Sequence, residues 1–251
     1  MKGRRDATGG DALAGAQLFV PVKTARRSSE VSSQIREAIF AGSLRRGDRL
    51  PPERALAKTF QVSPVVVREA VHMLEAAGLL SVRHGAAGGA FVAEITHRPL
   101  AESLAALLHL GGATLQQVGE ARLVIEPEVA AVAAVRRRPE DLALLRRNLD
   151  ETAEVLHSTR RARLLTLQFH KLLVGATENP FLTVCLTSLI ENLEKNTFYM
   201  DLALDVVAST LEHHREIYRA VSSRDTAAAN RHMHRHILHI QRKLERCAAA
   251  R

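Results

Sequence analysis

Three of the twelve histidines, His170, His214 and His236, stand where side-chain chemistry is possible. His170 lies in an otherwise apolar stretch, Leu164 to Leu173, His214 near the start of a later amphipathic segment, and His236 in a His-rich run near the C-terminus. Neutral imidazoles offer nitrogen lone pairs to metals such as zinc, and three of them from three helices of a bundle can converge into a facial ligand set. The same residues also suit a plainer role, as polar core side chains bonded to their neighbours. The residues alone leave both readings open. Arg122 raises a related question. Its segment is apolar, so the guanidinium is expected to point inward, and a buried Arg needs an anionic partner. Glu126, one turn later, is the internal choice and a ligand carboxylate the external one.

A second set of residues suits a polyanion. Ser63-Pro64 reads as the N-cap and first position of a helix whose inward stripe is Val67, Ala70, Val71 and Leu74. Ser63, Val65, Val66, Arg68 and Glu69 then lie off that stripe, near the helix start. Arg68 can reach a guanine or a phosphate, Val65 and Val66 can touch thymine methyls, and Ser63 can bond a phosphate. Arg54 opens the preceding helix. His84, with Gly85, Gly88 and Gly89, would let a hairpin tip approach DNA closely. Arg68-Glu69 alone would be an ordinary exposed pair; the ordered set is more specific.

Charge agrees with that reading. Lys and Arg exceed Asp and Glu by 8 over the 251 residues, and up to Pro99 they number 15 against 9, against 20 to 18 beyond it. A basic excess held in one segment points to nucleic acid. Two cysteines, Cys185 and Cys247, support neither a disulfide framework nor a cysteine zinc motif. The sequence holds neither a bilayer-spanning apolar run nor a signal-peptide core, so a cytoplasmic protein without a membrane partner is expected.

The elements needed to position these residues follow from periodicity. A helix is expected from Ser29 to about Gly42, then a turn at Gly47 into a very short extended piece. A second helix opens at Pro51-Pro52-Glu53 and a third at Ser63-Pro64. Leu79–Arg83 and Ala90–Ala93 alternate like the strands of a hairpin. His97-Arg98-Pro99 reads as a linker. Helices are expected near 100–110, 114–136, 139–157, 161–176, 180–198, 206–222 and 226–247, with Pro127 kinking or breaking the second of these.

The first 93 residues contain Gly42-Ser43-Leu44, Gly47-Asp48-Arg49-Leu50-Pro51, Glu53-Arg54-Ala55-Leu56-Ala57, Val62-Ser63, Val67-Arg68-Glu69-Ala70, Leu74-Glu75, Gly78-Leu79 and Gly88-Gly89. In this order they resemble the winged helix of the GntR family. One departure is Pro64-Val65, where many members carry Arg then Thr, so a family base contact is expected to be absent. Beyond residue 99, Arg122 with Glu126, Phe169-His170, Asn179-Pro180, Glu212 to Ile217, Asp225 and Met233 to Ile237 resemble the helical C-terminal domain of the FadR-like subfamily. The resemblance implies a mainly α protein, with a winged helix-turn-helix (25–95) and an all-α antiparallel bundle (96–251) for effector binding and dimerisation; residues 1–24, which show no sustained period, read as a flexible basic arm.

It further implies that His170, His214 and His236 match the family's metal ligands, for a divalent ion such as zinc, manganese or nickel. The spacing to Ile217 favours His214 over His213, while His232, His234 and His239 are expected on the helix surface. The family's fourth ligand is an Asp one turn before His170; here Thr166 stands there, and with Arg122 it is expected to bind the effector. The implied function is ligand-controlled repression by a homodimer on an inverted-repeat operator, with a small organic acid as effector and no enzymatic activity. The competing classes are a metal-dependent enzyme with a DNA-binding appendage, which lacks a recognisable acid or base beside the histidines, and a repressor that senses the ion itself.

Overall fold

The computed structural model describes residues 25–85, 88–94, 96–197 and 204–249. The expected arm, 1–24, lies outside the described residues. The chain separates at Ile95–Thr96 into two compact units.

The first unit runs α1 (Ala25–Phe40), α2 (Glu53–Phe60), α3 (Pro64–Ala76), β1 (Leu80–Arg83) and β2 (Gly89–Val92). Its core joins Val31 and Ile35 of α1, Leu56 and Ala57 of α2, the α3 stripe, and Leu80 and Val92 of the hairpin. The turn between α2 and α3 is tight because Gln61 takes a left-handed conformation, φ 54°. The Ser63 side chain then accepts from the Val66 amide, with Pro64 in the first turn. The strands pair antiparallel, Leu80 opposite Val92 and Arg83 opposite Gly89, and the short extended piece appears as a bridge from Arg49 to Phe91.

The register of α3 corrects one expectation. Val66, grouped above with the DNA-facing residues, is buried in the core, whereas Val65 stays 60% exposed. The buried arc of a packed helix is wide enough to take two adjacent positions, here Val66 and Val67. Val66 therefore supports the helix from inside and is withdrawn as a base contact.

Among the described residues the second unit is all helical: α4 (Arg98–His109), α5 (Leu115–Arg136), α6 (Pro139–Glu154), α7 (Thr159–Gly175), α8 (Pro180–Thr197), α9 (Leu204–Ser222) and α10 (Thr226–Ala249). Its main core includes Ala130, Ala133, Leu145, Phe169, Leu173, Ile217, Met233 and Ile237. Thr114 closes a capping box on α5, and the Asn179 side chain accepts from the amides of Phe181 and Leu182 at 3.0 and 3.2 Å to start α8.

Two expectations are corrected here. Of the kink or break expected at Pro127, the break does not occur; α5 is continuous through it. Buried neighbours on both sides, Glu126 and Val129-Ala130, hold the segment in place, so tertiary packing offsets the lost backbone bond. The linker read at His97-Arg98-Pro99 is instead docked structure. Arg98 and Pro99 form the first turn of α4. The His97 ring lies 3.2 Å from Glu191 of α8, and its carbonyl accepts from Ser188 at 2.9 Å.

Candidate functional site

Each helix around the centre of the bundle contributes residues one turn apart: Arg122 and Glu126 from α5, Thr166 and His170 from α7, Thr210 and His214 from α9, and His236 and Ile240 from α10. An i, i+4 pair shares one face, so a helix that points one member inward delivers both. Arg122, Glu126, Thr166, His170, Thr210, His214 and His236 are all buried.

The three histidines meet through their Nε2 atoms, which form a triangle with all three edges 3.2 Å. Phe169 stacks on the His214 ring at 4.1 Å and 12°, which fixes its plane. Glu126 reaches two ways: one carboxylate oxygen accepts from Arg122 Nε and the other from His170 Nδ1. An ionised carboxylate only accepts, so His170 carries a proton on Nδ1 and points Nε2 at the triangle. Burial opposes ionisation of Glu126, but Arg122 and His170 outweigh it and bring its pKa down to about 2. Burial first, then the neighbouring His170 and Arg122, hold His214 well below its usual range; for His236 burial, His214 and His170 act in that order. Both rings are thus neutral, the form that binds metal.

A triangle of imidazole nitrogens cannot satisfy itself. Each Nε2 is either a donor or an acceptor, so at least one edge joins two like ends. A central cation would meet three lone pairs at once. Donors about 2.1 Å from a common centre with edges of 3.2 Å subtend about 100°, between octahedral and tetrahedral angles. The residues present therefore fit a divalent ion. Thr166 adds no ligand charge: its hydroxyl donates to the Arg163 carbonyl at 2.7 Å.

Beside the triangle lies a cavity of about 60 Å³. Arg122, Arg163, Thr166, His170 and His236 give it a polar side. Leu167, Leu193, Val206, Val207 and Ile240 give it an apolar one. Arg163 and Thr210 were missed in the sequence reading. The signal was present, since Arg163, Thr166 and His170 follow one helical stripe and Thr210 precedes His214 by one turn. The second bond of Glu126, to His170 on another helix, had no sequence signal. His239 departs from its expected surface position: it is half-buried, 4.8 Å from the His213 ring and 3.1 Å from the Ser209 hydroxyl. His234 is exposed as read, and His232 is half-buried near Glu216.

In the first unit, Arg54, Ser63, Val65, Arg68 and His84 are exposed. Arg68 is paired with Glu53 at the start of α2, Nη2 to Oε2 2.9 Å, a partner the sequence reading did not name. Gly88 is half-buried and has a local reason to be glycine: a Cβ there would stand 2.3 Å from the Arg83 carbonyl oxygen and 2.8 Å from that of Gly85. No side chain larger than hydrogen closes the hairpin tip in this way.

Residues 27–92 match the family model "Bacterial regulatory proteins, gntR family", and residues 117–239 match the FCD domain. The chain belongs to the GntR family. The FCD match covers α5 to α10, the helices that carry the histidines. The Uxu operon transcriptional regulator of Escherichia coli is 29% identical over 226 residues, 87% of each chain. The HTH-type transcriptional regulator LutR of Bacillus subtilis is 29% identical over 205 residues, 80% of this chain and 93% of the relative. A solved structure, Streptococcus agalactiae GntR, superposes with a TM-score of 0.66 at 25% identity, covering 86% of this chain and 99% of that one. This GntR-family chain is a DNA-binding transcription regulator with an FCD effector-binding domain, and not an enzyme. Among the described residues no helix is long and apolar enough to cross a membrane.

Proposed function

We propose that the chain is a cytoplasmic repressor that binds an inverted-repeat operator as a homodimer and is controlled by a small organic acid held beside a divalent ion in the bundle. The observation that carries this reading is the convergence of three imidazole nitrogens beside a cavity lined by Arg122. His170, His214 and His236 hold the ion, which when bound supplies a Lewis-acid contact for a carboxylate oxygen. Glu126 keeps His170 in the ligating tautomer. Arg122 orients the acid; its bond to Glu126 uses one of the five guanidinium N–H donors.

On DNA, Arg68, Val65 and Ser63 face the major groove from the start of α3, Arg54 meets the backbone, and the His84–Gly88 tip approaches the flanking groove. The acid acts by binding one arrangement of the dimer more tightly than the other. Titrating operator binding with small carboxylates, with and without chelator, tests this. Weaker operator binding on adding an acid, lost in Arg122→Ala and His214→Ala while effector-free DNA binding survives, is the expected result. An acid that binds the bundle and leaves operator affinity unchanged would overturn the control mechanism. Response to the ion alone would favour a metal sensor.

A further inference from the structure

We infer that the cavity selects a short monocarboxylate with an apolar tail over hydroxylated acids of the same size. This rests on the effector reading above and adds the ligand's chemistry. The cavity is about 60 Å³, small beside the roughly 150 Å³ of a cavity that takes benzene. A ligand of a few heavy atoms fits. Its charged end belongs with Arg122 and the histidines, where the polar lining lies.

The remaining wall decides the tail. Leu193 of α8, Val206 and Val207 of α9 and Ile240 of α10 present hydrocarbon from three helices. The two threonines add little polarity. Thr166 donates its only hydroxyl hydrogen to the Arg163 carbonyl and Thr210 donates its own to the Val206 carbonyl, each at 2.7 Å. Neither has a hydrogen left to offer a ligand. A methylene buried on this wall gains about 0.8 kcal/mol, which is about fourfold in affinity at room temperature. A ligand hydroxyl placed there gives up water for hydrocarbon, and a polar group without a full partner set costs affinity roughly tenfold.

The test is calorimetric titration of the zinc-loaded full chain with acetate, propionate, butyrate and 3-hydroxypropionate. Butyrate and 3-hydroxypropionate have equal numbers of heavy atoms and differ by a terminal methyl against a hydroxyl. That hydroxyl sits on the β-carbon, two carbons from the carboxylate carbon, so the comparison reads the wall and avoids α-hydroxy chelation of the ion. Affinity is expected to rise from acetate to propionate, and butyrate to bind about tenfold tighter than 3-hydroxypropionate. Val207→Thr, which keeps the side-chain shape and adds a hydroxyl, should narrow that ratio; Leu193→Asn serves as the second variant if Val207→Thr does not fold. If 3-hydroxypropionate binds as tightly as butyrate in the wild-type protein, the inference is wrong and the effector reading stands. If none of the four acids binds, with Arg122 intact and zinc bound, the effector reading itself fails and the inference with it.

Discussion

The two units each pair an arginine with a glutamate, in opposite settings. Arg68 and Glu53 meet at the surface of the winged helix, with side chains 60% and 40% exposed. Arg122 and Glu126 meet inside the bundle, 6% and 1% exposed, and Glu126 also holds His170. Water and salt screen the first pair, so a phosphate or base can replace Glu53 as the partner of Arg68 at little cost. The second pair has no water to fall back on, and removing one member strands the other two. The same chemistry is therefore exchangeable on the surface proposed to meet DNA, and fixed where it holds the imidazoles in register.

The sharpest way to break the comparison is Glu126→Ala. It leaves Arg122 and His170 buried without their carboxylate and should destabilise the bundle by about 3–5 kcal/mol, with zinc affinity falling roughly 10- to 100-fold. Denaturant unfolding and a zinc titration measure both. A loss under about 1 kcal/mol would show that the buried network is dispensable. Arg68→Ala should instead leave unfolding unchanged and weaken operator binding by roughly 10- to 100-fold, most at one base position if Arg68 reads an edge. Uniform weakening with a smaller salt slope would assign it to phosphate.

Acid should act on the bundle. The folded pKa of Glu126, about 2, lies below that of an unfolded carboxyl, so its contribution is complete above the usual 4.5 and is lost as pH falls toward about 2. His214 and His236 are depressed below 6.5, so the unfolded chain takes up protons first and stability begins to fall as pH drops through that value. The melting temperature of metal-free protein should therefore decline from pH 7 to pH 5, an interval that spans the ordinary histidine range. A flat profile would contradict neutral burial of the two rings. Thr166→Asp should tighten zinc by adding ligand charge, read by competition with a chelator; weaker binding would place position 166 outside the ion's reach. The smallest effect belongs to Glu53→Ala, which frees Arg68 and should leave melting unchanged and operator affinity equal or slightly higher. A marked loss of stability there would erase the contrast between the two pairs.

Periodicity made the fold class readable. The apolar stripes, the Ser63-Pro64 and Asn179-Pro180 starts and the Gly-rich hairpin tip are local signals, set by backbone geometry and caps within a few residues. Val66, Pro127 and His97-Arg98-Pro99 were misread because what decides them is distant. A wide core arc buries Val66, packing keeps α5 continuous through Pro127, and α8 holds His97. The histidine positions could be picked out one by one, but their 3.2 Å triangle could not. Sequence spacing places a side chain on a helix face; only the packing of α5, α7, α9 and α10 brings four such faces to one point. The bond from Glu126 to His170 joins residues 44 apart, and the wall of Leu193, Val206, Val207 and Ile240 spans three helices. The residue types and helix faces were thus determined by the sequence itself. Which faces meet, which charges lose their water and how much space remains between them were decided by tertiary packing, because desolvation and cavity shape depend on every element that closes around the site.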